Sequence, residues 1–325
     1  MEFVKIGRLL KLPNHGIQGF DVHEYAQSPQ ALVLDDRIRV YFSTRKIDEQ
    51  GMFTSHVRFL DFTLDLSSVL GHSVDEVIEL GPLGSFDEHG IFPFSVFSDQ
   101  GKVSAYTCGW SRRVSVPVET ATGLAYSLDG GVHFSKYGVG PIFSSNLHEP
   151  FLVGDSFVKK FKDLYHMWYI YGTKWIPAGD LEPVARVYKI GYAYSLDGKC
   201  WNRSNNSPQL IPDVLGVDEC QALPSVIEWQ GQYHMFFCYR HATDFRANSS
   251  RGYRLGYATS VDLVDWIRKD SDLRFIAASD DAFDNDMMCY PSAFVVGKNL
   301  WLLYNGDCFG KYGFGAAIHR DPSCE

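Results

Sequence analysis

No stretch of this sequence approaches the roughly 18 uncharged apolar residues that a membrane-crossing helix requires. The opening segment, MEFVKIGRLLKLPNHG, lacks the long apolar core of a secretory signal. Paired cysteines are missing as well. Cys108, Cys200, Cys220, Cys238, Cys289, Cys308 and Cys324 are odd in number, scattered, and form no Cys-x-x-Cys. They read as reduced thiols, so a soluble, cytoplasmic protein that engages no membrane is expected. Positive charge is also short. With 30 Lys and Arg against 39 Asp and Glu, the formal net charge is −9. That is the wrong sign for a general nucleic-acid binder, and no nucleic-acid partner is expected. The signatures GxGxxG, GxxxxGK[ST] and GxSxG do not occur, nor does His-x-x-x-His. The acidic run SDDAFDNDMM lacks the glycine and closing glutamate of a calcium loop. No metal and no cofactor are expected.

Helical periodicity is scarce; what is present is strand and turn. Aromatic residues make up 15% of the chain and apolar residues 45%, enough for a large core. Short runs of Val, Ile, Tyr, Phe and Trp are broken by Gly, Asp, Asn and Ser. Two lines repeat. TGLAYSLDGGVHF from Thr122, KIGYAYSLDGKCWN from Lys189 and RLGYATSVDLVDWI from Arg254 each place an apolar strand before a Ser-x-Asp turn, followed by Phe134, Trp201 or Trp266. The other line is a proline at the head of an apolar strand, a turn, and an aromatic strand. It occurs around Pro29, Pro93, Pro150, Pro224 and Pro291. Five units at this spacing, each of about four strands, predict an all-β fold: a five-bladed β-propeller forming a single domain over residues 1–325. The last unit is one strand short, and EFVKIGRLL at the start is spare. The N-terminal strand is therefore expected to complete the last blade and close the ring.

A five-unit layout with prolines heading the inner strands resembles the arabinanase, levansucrase and invertase superfamily, which includes glycoside hydrolase families 32, 43, 68 and 130. In the family-43 pattern an acid precedes the first-blade proline, another precedes the third-blade proline, and a glutamate stands two places before the fourth-blade proline. These positions hold Ser28, Glu149 and Ala222, so the resemblance carries one carboxylate across, Glu149. Further acids stand upstream of the prolines: Glu24, Asp87, Glu88, Glu219 and Asp286. Entrances to the inner strands of a propeller meet at one mouth, which would gather these acids. Glu149 with Glu219 is the first catalytic pair on this reading, with Asp87 or Glu24 as alternative partner.

Basic and aromatic residues complete the expected site. Arg45 and Arg240 end second strands, and Arg186 and Arg251 join the rim; arginine suits bidentate recognition of carboxylate or phosphate. Trp110 and Trp175, at strand ends entering long loops, offer faces to sugar rings, with Tyr290 beside the last proline. His23, His89 and His148 take upstream positions in successive units. The expected partner is a small carbohydrate, acidic or phosphorylated, and the expected function a glycosidase-like cleavage or transfer of a glycosidic bond. Two alternatives stay open: a glycosyltransferase or phosphorylase of surface-polysaccharide biosynthesis, and a non-catalytic glycan-binding propeller.

Overall fold

A computed structural model describes residues 1–178, 184–204, 209–276 and 283–320. Cys324 and part of the acidic run at 279–288 lie outside them. Strand β1 (Glu2–Lys11) is followed by β2 (Gln27–Val33), β3 (Ile38–Ile47), β4 (Phe53–Phe62) and β5 (Val69–His72), which pair in that order as one antiparallel unit. The second unit is β6 (Gly90–Asp99), β7 (Lys102–Arg112), β8 (Val118–Ser127) and β9 (Ser135–Lys136). The third is β10 (Val153–Phe161), β11 (Leu164–Pro177), β12 (Val184–Ser195) and β13 (Asn202–Arg203). The fourth is β14 (Glu219–Trp229), β15 (Gln232–His241), β16 (Arg254–Ser260) and β17 (Ile267–Arg268). After the short β18 (Arg274–Ile276) come β19 (Cys289–Val296), β20 (Asn299–Asn305) and β21 (Gly313–His319). Among the described residues there is no α-helix.

Strand β1 lies antiparallel to β21, from Val4 opposite Ile318 to Lys11 opposite Gly313, and so supplies the fourth strand of the last unit. The first three residues of its outer edge, Glu2 to Val4, pair with β18. The chain ends are thereby joined in one sheet, and an edge that could recruit another chain is removed. The inner strands β2, β6, β10, β14 and β19 touch one another in that order and back to β2, forming a ring about an axis. Apolar layers fill the spaces between blades. Phe3, Phe236 and Leu302, each fully buried, join blade four to blade five, while Phe42, Leu60 and Phe314 join blade five to blade one.

The repeated Ser-x-Asp line is structural. Ser127, Ser195 and Ser260 each accept the N–H of the Asp two places on, and Asp129, Asp197 and Asp262 cap two later N–H groups apiece. The third copy has Leu263 where the others have glycine, at φ 70°, close to Gly130 at 74° and Gly198 at 70°. Phe134, Trp201 and Trp266 stand immediately before β9, β13 and β17.

Each inner strand bulges at one shared place. Pairing skips from Gln27 to Gln30, Ile91 to Phe94, Gly154 to Phe157, Ala222 to Ser225 and Cys289 to Ser292. The skipped pairs are Ser28-Pro29, Phe92-Pro93, Asp155-Ser156, Leu223-Pro224 and Tyr290-Pro291. Ser28, Asp155, Leu223 and Tyr290 have φ between 47° and 58°. Such bulges re-aim side chains, here at one end of the ring. The third blade thus departs from expectation: its inner strand begins at Val153, and the residues equivalent to Xaa-Pro are Asp155-Ser156, six places beyond Glu149-Pro150. Proline and serine both tolerate the bulge because its second residue donates no ladder hydrogen bond.

Candidate functional site

The bulges open onto a cavity of about 600 Å3 at one mouth of the axis. Phe92, Asp155 and Tyr290, from three of the five bulges, line it. Among the described lining residues Asp155 is the sole carboxylate, against Arg45, Arg112, Arg113, Arg186, Arg240 and Arg246. Burial pushes the Asp155 carboxyl up to about 7, held back partly by the Arg186 charge, the Leu223 N–H and the Cys108 thiol. Gly154 keeps this arrangement close: a Cβ there would lie 2.6 Å from the Cys108 sulfur.

The arginines divide by partner. Arg112 pairs with Asp48 at 2.8 Å and Arg113 with Glu119 at 2.5 Å. Arg240 is different. Only 2% exposed, it donates to the carbonyls of His241 and Ala242 and to the Tyr188 hydroxyl, and its Nε meets no protein acceptor. Its guanidinium lies 3.6 Å from the centre of the Phe245 ring. Burial raises the pKa values of Tyr188, Tyr253 and Cys220 around it, so these stay neutral and supply no counter-charge. Arg186 lies by the same Tyr188 and by Asp155. A buried guanidinium cannot shed its proton and is costly without an anion. The described lining of the cavity therefore carries far more positive than negative charge.

The upstream acids do other work. Asp87 meets Lys136 of β9 at 2.5 Å, Glu149 meets Arg203 of β13 at 2.6 Å, and Glu219 meets Arg268 of β17 at 2.6 Å. Asp284 meets Lys5 of β1 at 2.7 Å. In four blades, then, the segment entering the inner strand is tied to the outermost strand of the same blade. Blade one uses Asp21 and Arg58, at 2.9 Å, in the third strand instead. Asp87, Glu149 and Glu219 are fully buried. Glu219 also accepts the N–H groups of Val214 and Leu215, and Glu149 the Tyr169 hydroxyl. None of these carboxylates lines the cavity, so Glu149, Glu219 and Asp87 are not brought together as a catalytic pair. Glu24 is exposed, 3.5 Å from Lys311.

Of the expected binding residues, the cavity gathers Arg45, Trp110, Arg186, Arg240 and Tyr290. His89 backs it by stacking on Trp110, ring centres 5.8 Å apart, and is steadied by Glu88 at 3.4 Å. His23 and His148 are exposed outside it. Trp175 packs on the core beside its β-partner Arg186. Arg251 donates to the Thr243 carbonyl, and the Asp286 N–H to Asp307; neither residue lines the cavity. Asp155 is not among the expected residues, because the third-blade bulge carries serine in place of the proline that marks the others and Pro150 lies six residues upstream of it. Counting back from the aromatic second strand, Trp168 opposite Phe157 and Phe236 opposite Ser225, puts Asp155 in register.

No family model matches the chain. An uncharacterized protein of Mycobacterium tuberculosis is 28% identical over 319 residues, 98% of this chain and 99% of that protein. A Debaryomyces hansenii invertase is 30% identical over 149 residues, 43% of this chain and 25% of the invertase. Among solved structures, a thermostable family-43 glycoside hydrolase superposes with a TM-score of 0.65 at 15% identity, covering 96% of this chain and 92% of that one. A Bombyx mori family-32 β-fructofuranosidase in complex with sucrose gives 0.60 at 12% identity, covering 92% and 62%. A glycosyl hydrolase from Bacteroides ovatus gives 0.68 at 15% identity, covering 93% and 85%. The chain has the all-β propeller fold of the family-43 and family-32 glycoside hydrolases.

Proposed function

We propose that this chain is a carbohydrate-active enzyme that breaks or forms a glycosidic bond of a small anionic glycan. Asp155 is its one acid, and an oxyanion, phosphate in chemical terms, is the second reactant. The observation that carries this reading is a single carboxylate, with its pKa near neutrality, in a cavity with Arg186 and the buried Arg240. Among the described residues, neither arginine forms an ion pair with a carboxylate, and the charge of Arg186 acts on Asp155. Hydrolysis by two carboxylates needs a second acid in reach of the anomeric carbon. Phosphorolysis does not, because phosphate brings its own nucleophilic oxygen.

The steps follow from the groups present. Protonated Asp155 donates to the glycosidic oxygen as the bond from that oxygen to the anomeric carbon breaks. A phosphate oxygen, aligned by Arg186 and Arg240, bonds to that carbon. The hydroxyl proton of the hydrogenphosphate then restores Asp155, so a sugar phosphate and a free alcohol leave. Reversal makes the bond and releases phosphate. Trp110 and Phe92 supply apolar faces for the sugar ring. Likeness to glycoside hydrolases of known fold, one of them holding sucrose, supports the carbohydrate class.

The test is a panel of glycosides incubated with and without inorganic phosphate, and of sugar 1-phosphates with alcohol acceptors, followed by phosphate release. Phosphate-dependent turnover that falls at least 100-fold in Asp155→Asn, and persists in a Glu24→Gln control, is expected. Turnover equal in phosphate-free buffer would overturn the reading.

A further inference from the structure

Arg45 poses a separate question from Arg186 and Arg240. It stands on β3 of blade one, whereas Arg186 and Arg240 belong to blades three and four, across the axis. Its guanidinium lies 3.9 Å from the centre of the Tyr25 ring and 5.2 Å from that of Phe53, and its Nε donates to Gln27 Oε1 at 3.1 Å. Those contacts hold the fork through one nitrogen, and among the described residues neither terminal nitrogen makes a hydrogen bond, in a side chain that lines the cavity. Burial lowers its pKa, and the nearby positive charge of Arg246 lowers it further. Arg246, from the loop after β15, also lines the cavity and lies 4.9 Å from the Phe309 ring. Glu24, whose charge also acts on Arg45, is exposed and beside Lys311. Arg45 and Arg246 thus stand near one another beside the rings of Tyr25, Phe53 and Phe309.

Resting on the proposed function, we infer that the blade-one wall is a second anion subsite. There Arg45, steered by Gln27 and Tyr25 and assisted by Arg246, holds a carboxylate or phosphate carried by the sugar itself. The pocket then takes two anions at once: the reacting oxyanion beside Asp155, and a charged substituent of the glycan across the axis. A bidentate fork oriented by one hydrogen bond and a stacked ring is the geometry arginine uses for either group. The substrate class is accordingly an acidic or phosphorylated sugar whose charge sits away from the anomeric carbon.

Calorimetric titration of the full chain with inorganic phosphate separates the two claims. Wild type is expected to bind two equivalents, Arg45→Gln one, and Arg186→Gln one. The site that survives in each variant shows that the variant is folded. Glucuronic acid and glucose 6-phosphate, each compared with glucose, identify the charged group. The preferred anion should bind at least tenfold more tightly than glucose to wild type, and equally with glucose to Arg45→Gln. One equivalent lost in Arg186→Gln and kept in Arg45→Gln, with no preference for a charged sugar, would overturn the second subsite and leave the proposed function standing. One equivalent lost only in Arg45→Gln would keep the subsite and overturn the oxyanion role of Arg186. Absence of phosphate binding to wild type, with charged sugars still preferred through Arg45, would do the same.

Discussion

Asp155 makes a prediction that needs no substrate. Its carboxyl is raised from the ordinary 3.8 to about 7, burial being the cause and Arg186 a partial offset. Between those values the folded chain holds a proton that the unfolded chain has lost. Stability therefore falls as pH rises from about 4 to about 7 and stays at the lower level above. A change of this size corresponds to at most about 4 kcal/mol. Asp155→Asn removes the titration. The variant's stability relative to wild type should rise by up to about 4 kcal/mol between pH 4 and pH 8. Urea unfolding of both proteins at pH 4, 6 and 8 measures this, and the other titrating groups cancel in the difference. A difference that is flat across this range would rule out the raised pKa, because a carboxyl that ionises near 4 in the fold leaves no such trend.

Other substitutions follow from the same contacts. Glu149→Ala leaves Arg203 without its carboxylate partner and should cost about 3–5 kcal/mol in chemical unfolding, whereas Glu219→Ala, after which Arg268 keeps Asp270 at 2.7 Å, should cost less; phosphate binding is retained in both. Loss of binding with unchanged stability would restore them as site residues. Removal of residues 1–12 takes away β1, the Lys5–Asp284 pair and the buried Phe3 and Leu10. At about 2 kcal/mol or more for each buried large side chain, the whole domain should lose its cooperative transition, seen by circular dichroism. Gly154→Ala drives a methyl into the Cys108 sulfur, and should both destabilise the chain and shift the pH dependence assigned to Asp155.

The repeat was readable because blades must stack: the aromatic before each outer strand and the Ser-x-Asp turn are needed wherever a blade ends, so they recur in sequence. Ring closure by β1 was readable for the same reason, since an unpaired last blade would leave an open edge. The recurring upstream acids were visible too, but their destination was not. A carboxylate four to six residues before the bulge of an inner strand can face the axis or turn back to its own outer strand. Lys136, Arg203, Arg268 and Lys5, which decide for the latter, lie about 50 to 280 residues away in the chain. Asp155 was hidden differently. Its bulge is headed by Gly-Asp-Ser, without the proline that marks the other four, and only strand register reveals the equivalence. Arg45 and Arg240 were found because both end second strands at corresponding places. That the groups around Arg240 are neutral depends on burial that sequence does not report.

The sharpest test is a crystal structure after soaking with tungstate, a phosphate analogue visible by its anomalous signal. A tungstate held by Arg186 and Arg240 within reach of Asp155, in the mouth of the ring, is the expected result. Anomalous density confined to other surfaces at saturating tungstate, with that mouth holding water alone, would show that the ring does not gather an oxyanion there.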